Sequence, residues 1–272
     1  MSVFKYRNGE KGLKILADLE MPLAASNEFN DPFEYQPTLT SDEMTKEKAI
    51  QSLNNEELFE LWFSQPRLRY DNKKWWRDWY FNNLDKIYAD LSGHLMVGVK
   101  WLEENFANQT AKFWKIGCYS LTSEDTLMWT HYADEHKGIA IEFDLTRPPF
   151  NKTSTIKILE VDYSDEKVPY DFPQSNEDFE KTLHAISKRK KLCWSYEREV
   201  RILVAIGSLR ENRFLVLDAS SIVSVTYGLR CPEELRKNVI EALKPSYFQH
   251  VKVYEIRRNL ENNTFCRMQI SP

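Results

Sequence analysis

Two carboxylates and a guanidinium alternate in the segment 194–202, WSYEREVRI. Alternate residues of a β-strand share one face, so the spacing predicts that Glu197, Glu199 and Arg201 point to the same side of a strand. Charges of this kind are costly when they are covered and unpaired. We therefore expect them on the face opposite the buried one, either solvated with a Glu–Arg pair or lining a cleft that serves a substrate.

A second set of polar side chains lies in the segment 129–144, WTHYADEHKGIAIEFD. His131 is expected on a short helix beside aromatic rings, where a hydrogen-bonded structural role competes with a binding role. His131 and His136 are five residues apart and so do not share a helix face, as a metal-binding i, i+4 pair would. Glu142 and Asp144 share a strand face, which suits a metal ion but is also common on exposed strands.

The third candidate is Arg7, at the end of a strand predicted over residues 3–7. The arginine fork suits bidentate contacts with phosphate or carboxylate. The segment from Met21 to Glu34 is predicted to be a strand that runs into a polar turn, and Asn30-Asp31-Pro32 is the turn signal. A lone Arg at a strand end is usually a surface residue, so Arg7 gains weight only together with the other sets.

The composition restricts the class of protein. The 272 residues are 42% hydrophobic and 13% aromatic with only eight glycines, which favours a packed globular fold over disorder or repeats. The net charge of −4 gives no broad basic surface for nucleic acid. The four cysteines form no CxxC pair, and there is neither a signal peptide nor a run of roughly 20 apolar residues. We predict a cytoplasmic protein without membrane contact.

The periodicity predicts an α+β fold in one domain spanning residues 1–272. Strand-like segments of period two stand on both sides of a helical insertion at about 41–113, and mixed, largely antiparallel sheets should bracket that block. No nucleotide-binding glycine loop is present. Within the insertion, Trp75, Trp76 and Trp79 favour core packing or a partner surface over base stacking.

Four segments together resemble a known family. They are FKYR, SNEFNDPFE, CYSLTSEDTLMWTHYADEHKGIAIEFD and KLCWSYEREVRIL, and they span nearly the whole chain. In order and spacing they resemble the uncharacterised bacterial family catalogued as domain of unknown function 2971. The resemblance implies a family but no activity.

The layout is also similar to that of ADP-ribosyltransferases, whose fold holds NAD with an Arg or His on the first strand. In that fold a small polar residue supports the nicotinamide ribose, and a glutamate of a late strand contacts the ribose hydroxyls. The resemblance implies NAD as the substrate, with Arg7, Ser26, Asn30 and His131 binding it and with Glu199 and Glu197 as catalytic residues. The spacing of Glu197 and Glu199 matches the ExE pattern of some of these enzymes.

Three hypotheses follow. The first is an NAD-dependent ADP-ribosyltransferase or NAD glycohydrolase with a macromolecular acceptor, serving as a bacterial toxin or defence effector. The second is a non-catalytic binding or sensor module of a stress or defence operon, which holds a partner protein through the aromatic helices at 55–105. The third is a metal-dependent nuclease that uses Glu142, Asp144 and Glu197.

Overall fold

The computed structural model describes residues 1–36, 39–40, 46–54, 78–79, 81–169 and 176–270. These form two compact units: the first comprises Met1–Asn30, Thr110–Ser164 and Lys190–Pro272, and the second Asp31–Gln109 and Asp165–Arg189. The number of domains stays a prediction. Much of the predicted helical insertion, including Trp75 and Trp76, lies outside the described residues.

An eight-stranded sheet forms the centre of the first unit. Its strand order is β14-β13-β12-β5-β1-β4-β10-β6, and only the β12–β13 pair is parallel. Its strands are β1 (Ser2–Arg7), β4 (Trp114–Ser120), β5 (Ile139–Asp144), β6 (Ile156–Glu160), β10 (Glu199–Ala205), β12 (Ile222–Tyr227), β13 (Lys252–Asn259) and β14 (Thr264–Ile270). The predicted α+β class with largely antiparallel pairing is confirmed.

The described chain also contains short strands outside this sheet and several helices. The remaining strands are β2 (Glu20–Pro22), β3 (Leu39–Thr40), β7 (Asp162–Tyr163), β8 (Val168–Pro169), β9 (Arg189–Lys190) and β11 (Phe214–Val216). The helices are α1 (Gly9–Asp18), α2 (Lys46–Asn54), α3 (Leu84–Phe113), α4 (Thr126–Tyr132), α5 (Asn176–Lys188) and α6 (Glu233–Ala242). Among the residues described, no helix has the length and apolar character that crossing a membrane requires.

Both faces of the central sheet are covered by apolar side chains. The alternation in β5 puts Ile139, Ile141 and Phe143 into one core cluster, as the sequence predicted, and all three are fully buried. The opposite face carries a smaller cluster in which Trp129 of α4 packs edge-on against Tyr6 of β1 at 5.0 Å between ring centroids. Helix α4 is thereby fixed above the sheet.

The end of β1 is held firmly where Arg7 leaves the sheet. Asn8 caps α1 at once, because its side chain accepts a hydrogen bond from the Lys11 amide at 2.9 Å. Gly138 packs against this backbone so closely that a Cβ atom there would lie 2.1 Å from the Arg7 carbonyl oxygen. Only glycine fits such an approach, so the Lys137-Gly138 turn fixes the position of the Arg7 backbone.

Two predicted strand boundaries are wrong. The strand expected from Met21 onward is only the three-residue β2, and Ser26 lies instead in a 3₁₀ turn, Ser26–Glu28. The Glu28 carboxylate closes that turn by accepting the Ala25 amide at 2.8 Å, which ends the extended backbone before Asn30. Glu197 is likewise not in a strand: it ends the 3₁₀ helix Leu192–Glu197, and β10 begins at Glu199.

Candidate functional site

Four charged side chains meet at the start of β10. The Lys190 ammonium donates to Glu197 Oε2 at 2.6 Å and to Glu199 Oε2 at 2.8 Å, and Arg201 Nε donates to Glu199 Oε1 at 2.9 Å. The four residues are between 0% and 7% exposed. They are called the charged cluster below. Its two cations and two anions balance, which is the condition for burying them together.

The backbone between the two glutamates explains how both reach Lys190. Arg198 adopts a left-handed conformation with φ of 44°, so it breaks the chain direction between the 3₁₀ helix and β10. The Glu197 carbonyl accepts the Ser120 hydroxyl of β4 at 2.7 Å, and the Arg198 carbonyl accepts the Leu121 amide at 2.9 Å. These bonds to β4 and the chain after it fix the turn.

The expectation that Glu197, Glu199 and Arg201 lie on a solvated face is wrong. The face opposite the core of β10 is itself covered, and the glutamates are paired within the protein. The pattern of β10 correctly placed Glu199 and Arg201 on one side. It could not show that Lys190, which lies outside the strand, binds both carboxylates.

The two carboxylates differ in their electrostatics. Burial raises the pKa of Glu197, although Lys190 and the Tyr132 hydroxyl oppose that shift. Burial would also raise the pKa of Glu199, but Arg201 and Lys190 hold it well below its ordinary value. Glu199 is thus a fixed anion, whereas Glu197 is the carboxylate whose proton can be exchanged at a milder pH.

Aromatic residues surround the Glu197 side of the cluster. Tyr132 of α4 donates its hydroxyl to Glu197 Oε1 at 2.6 Å. Ring centroids of His131 and Tyr196 are 6.2 Å apart, and those of Trp194 and Tyr196 are 6.1 Å apart. His131 is exposed and the three other rings are half-buried. These four residues form the aromatic rim, the part of the site that solvent reaches.

Strand β4 brings together the segments that the sequence nominated separately. Phe4 of β1 pairs with Ser120, Glu199 of β10 pairs with the same Ser120, and Ala24 forms an isolated bridge with Ile116 just before the turn of Ser26. The three segments therefore border one strand of seven residues.

A side-chain contact also connects two of these segments. Phe29, which follows the turn of Ser26, lies 5.9 Å from the guanidinium carbon of Arg201, which in turn binds Glu199. Ser26 itself is buried at 1% exposure. Asn30 is exposed and makes no hydrogen bond or ion pair with this group among the residues described.

Strand β1 supplies two cations, Lys5 and Arg7, of which Lys5 lies within electrostatic range of the cluster. Lys5 donates to the Cys118 carbonyl, and its ammonium lies within electrostatic range of Arg7, Glu199 and Glu197. Burial, helped by Arg7, lowers the pKa of Lys5 to about 7. Arg7 is half-buried; its Nη1 makes one long bond to the Tyr6 carbonyl at 3.4 Å, and its buried Nε has no partner among the described residues.

The carboxylates of the nuclease hypothesis occupy separate networks. Glu142 accepts from Arg267 at 2.8 Å and from Ser224 at 2.6 Å, and Asp144 accepts from Thr146 at 2.8 Å. In the sheet, Glu142 stands opposite Phe4, three strands from Glu199, so their backbones are roughly 14 Å apart. No group of three or more His, Cys, Asp or Glu side chains suited to one metal ion occurs in the described part of the chain.

Sequence reasoning missed three members of this site. Sequence reasoning nominates neither Lys190, which follows a helix that ends at Lys188, nor Tyr132 beside His131. Lys5 was treated as part of an alternating strand. The one available signal was chemical: a second cation was needed to balance two carboxylates beside one arginine.

The fold and the site together define a mixed α+β protein with a buried, charge-balanced cluster beside exposed aromatic rings. Residues 128–202 match the model of a family described as "Protein of unknown function (DUF2971)". This match supports the family resemblance over that segment, and the segment contains the whole charged cluster and the whole aromatic rim. No curated protein and no solved structure matches the chain.

Proposed function

We propose that the protein is an enzyme that cleaves the bond between nicotinamide and ribose in NAD, passing ADP-ribose to an acceptor or to water. One observation carries the proposal: β4 pairs with Phe4 of β1, the strand that ends at Arg7, with Ala24 just before the turn of Ser26, and with Glu199 at the start of β10. Three segments that are far apart in sequence thus lie beside one strand, which supports the layout that the ADP-ribosyltransferase resemblance implies.

The chemistry needs a carboxylate near the ribose. When the glycosidic bond breaks, its electron pair leaves with nicotinamide as a neutral molecule, and the ribose C1′ becomes an oxocarbenium-like cation. A nearby carboxylate stabilises this cation, and the acceptor or water then bonds to C1′ and loses a proton. A general base takes up this proton, and its pKa should lie near the pH at which the enzyme works.

Within this proposal the roles of the two glutamates differ. Glu199 is 3% exposed and is bound by Lys190 and Arg201, so it serves as a positioning residue that keeps Lys190 in place. Glu197 lies beside the aromatic rim and has a raised pKa, which suits a carboxylate that stabilises the cation or takes the proton of the acceptor. Glu197 is therefore the catalytic candidate.

The cation at the end of β1 suits the phosphates of the substrate. Arg7 is half-buried, and the one side-chain hydrogen bond of its guanidinium among the residues described is long, 3.4 Å from Nη1 to the Tyr6 carbonyl, so it retains donors for an oxyanion. Lys5 lies within electrostatic range of Arg7 and adds positive charge when it is protonated.

The test measures nicotinamide released from NAD by the full chain, with and without protein and nucleic-acid acceptors. We expect release by the wild type, loss of at least about a hundredfold in Glu197→Gln, and a matching loss on Arg7→Gln at low NAD concentration. Glu160→Gln is the matched control, because Glu160 is an exposed carboxylate of neighbouring β6. No release by a folded wild type, or equal release by Glu197→Gln, would refute the proposal.

A further inference from the structure

A separate cleft in the first unit carries an excess of positive charge. It has a volume of about 480 Å³ and lies between the turn of Ser26, the start of β4 and the loop before β11. Three cations line it, Lys112, Lys115 and Arg213. Its volume falls within the range of small-molecule sites.

The two carboxylates of the cleft are already engaged. Glu28 Oε2 accepts the Ala25 amide at 2.8 Å, which closes the 3₁₀ turn. Glu211 is 71% exposed and lies 3.9 Å from Arg210 Nε. Neither carboxylate forms an ion pair with a cation of the cleft among the described residues.

Two of the cations are left without partners. Lys115 is half-buried in β4, opposite Val204 of β10, and Arg213 is exposed beside Leu23, whose amide donates to the Arg213 carbonyl at 3.0 Å. Neither the Lys115 nor the Arg213 side chain has a hydrogen-bonding or ion-pairing partner in the part of the chain that the structure describes. A lysine and an arginine that form no ion pair in the described chain present positive charge that a bound anion would neutralise.

The lining also holds an apolar part. Leu23 is buried at 2% exposure and Ile206 is half-buried, and both face the cleft. A simple anion would make no contact with Leu23 and Ile206. A molecule with a phosphate group and an apolar or ring-shaped body would contact both the cations and these apolar side chains.

We infer that this cleft binds a phosphorylated small molecule, with Lys115 and Arg213 holding its phosphate and Leu23 and Ile206 contacting its body. Arginine gives the phosphate a two-pronged contact, and lysine adds a point charge. The inference does not depend on NAD cleavage, because none of these residues belongs to the charged cluster or to the aromatic rim.

The experiment uses the full chain and titrates it with inorganic pyrophosphate and with ADP by calorimetry, at low and at high salt. We expect both probes to bind, ADP more tightly because of its ring, and affinity to fall as salt rises. The double variant Lys115→Gln/Arg213→Gln should lose at least about tenfold in affinity for both probes. Arg213→Gln alone changes an exposed side chain that forms no hydrogen bond or ion pair in the described part of the chain, so it reports on binding even where the double variant folds poorly.

The matched control is Lys237→Gln/Lys252→Gln, which removes two exposed positive charges outside the cleft. It should retain the affinity of the wild type. Absence of binding at millimolar concentration, or an equal loss in the control pair, would overturn the inference. Nicotinamide release from NAD, measured separately on the same variants, shows whether the proposed activity fails independently.

Discussion

The Lys190 ammonium lies 2.8 Å from Glu199 Oε2, and both side chains are almost entirely buried. The same ammonium lies 2.6 Å from Glu197, so one lysine joins the carboxylate that ends the 3₁₀ helix to the one that begins β10. Because Arg201 binds the other oxygen of Glu199, the balance of charge in the core depends on Glu199. Removing Glu199 would take away an anion that both Lys190 and Arg201 bind in an interior of low polarity.

Replacing Glu199 with glutamine should therefore destabilise the fold strongly. Glutamine keeps the shape of the side chain but removes the negative charge that Lys190 and Arg201 both bind, and we expect the free energy of unfolding to fall by about 3–5 kcal/mol. Urea unfolding at pH 7 measures this. Glu160→Gln, on an exposed position of β6, should change it by less than about 0.5 kcal/mol. A Glu199→Gln value as small as that of the control would contradict the role of the cluster.

The same variant carries a pH signature. The pKa of Glu199 is held below its ordinary 4.5, so its ionised form favours the folded state. That stabilisation is complete above pH 4.5 and is lost as the pH falls from there toward the lower pKa of the folded protein. Below pH 4.5 the wild type should lose stability more steeply than Glu199→Gln in urea titrations.

Lys5 should make the protein more stable as the pH rises above neutrality. Its pKa is lowered from 10.5 to about 7 by burial, so between these values the unfolded chain binds the proton and the folded chain releases it. Stability then rises with pH in this window, by about 2 kcal/mol between pH 7 and pH 9. Urea unfolding across that range should show the rise in the wild type and a flat profile in Lys5→Met. A rise of equal size in Lys5→Met would assign it to another group.

The sequence permitted the fold to be predicted further than the site. Alternation in the segment of β5 is a local pattern, and the strand forms with Glu142 and Asp144 on one face, as predicted. The strand predicted from Met21 onward is too long, because the Glu28 carboxylate folds back onto the Ala25 amide and closes a 3₁₀ turn. Periodicity detects only which faces are apolar, and such a contact leaves no periodic trace.

The site was predictable only in part, because its geometry depends on contacts between distant segments. The nominated Glu197 and Glu199 do lie together, and Arg7 does end its strand. Lys190 is invisible as a partner in the sequence, because it stands in a run of four basic residues, SKRKKL, that would ordinarily be solvated. Whether a charged face is buried depends on partners from distant segments. The spacing of Glu197, Glu199 and Arg201 carries no information about such partners.

Glu142 should matter for stability and not for the proposed reaction. Its carboxylate holds Arg267, which also lies 3.7 Å from the centroid of the Tyr254 ring and donates to Thr226 at 2.9 Å. Glu142→Gln should lower the free energy of unfolding by about 1–3 kcal/mol, because the half-buried guanidinium loses its counter-charge. Nicotinamide release should stay at the wild-type level. Loss of a magnesium- or manganese-dependent nuclease activity in this variant would instead favour the nuclease hypothesis.

Tyr132 should set the pH at which Glu197 gains its proton. Its hydroxyl donates to Glu197 Oε1 at 2.6 Å and so favours the ionised carboxylate, and Tyr132→Phe removes that donor. The pKa of Glu197, already raised by burial, should rise further. Carbon-13 NMR titration of the Glu197 carboxyl measures the shift without requiring activity, and the acid limb of the NAD cleavage profile should move to higher pH by the same amount. Tyr196→Phe is the control, because the Tyr196 hydroxyl makes no hydrogen bond to Glu197 among the described residues; a shift as large in that variant would show that Tyr132 has no special role.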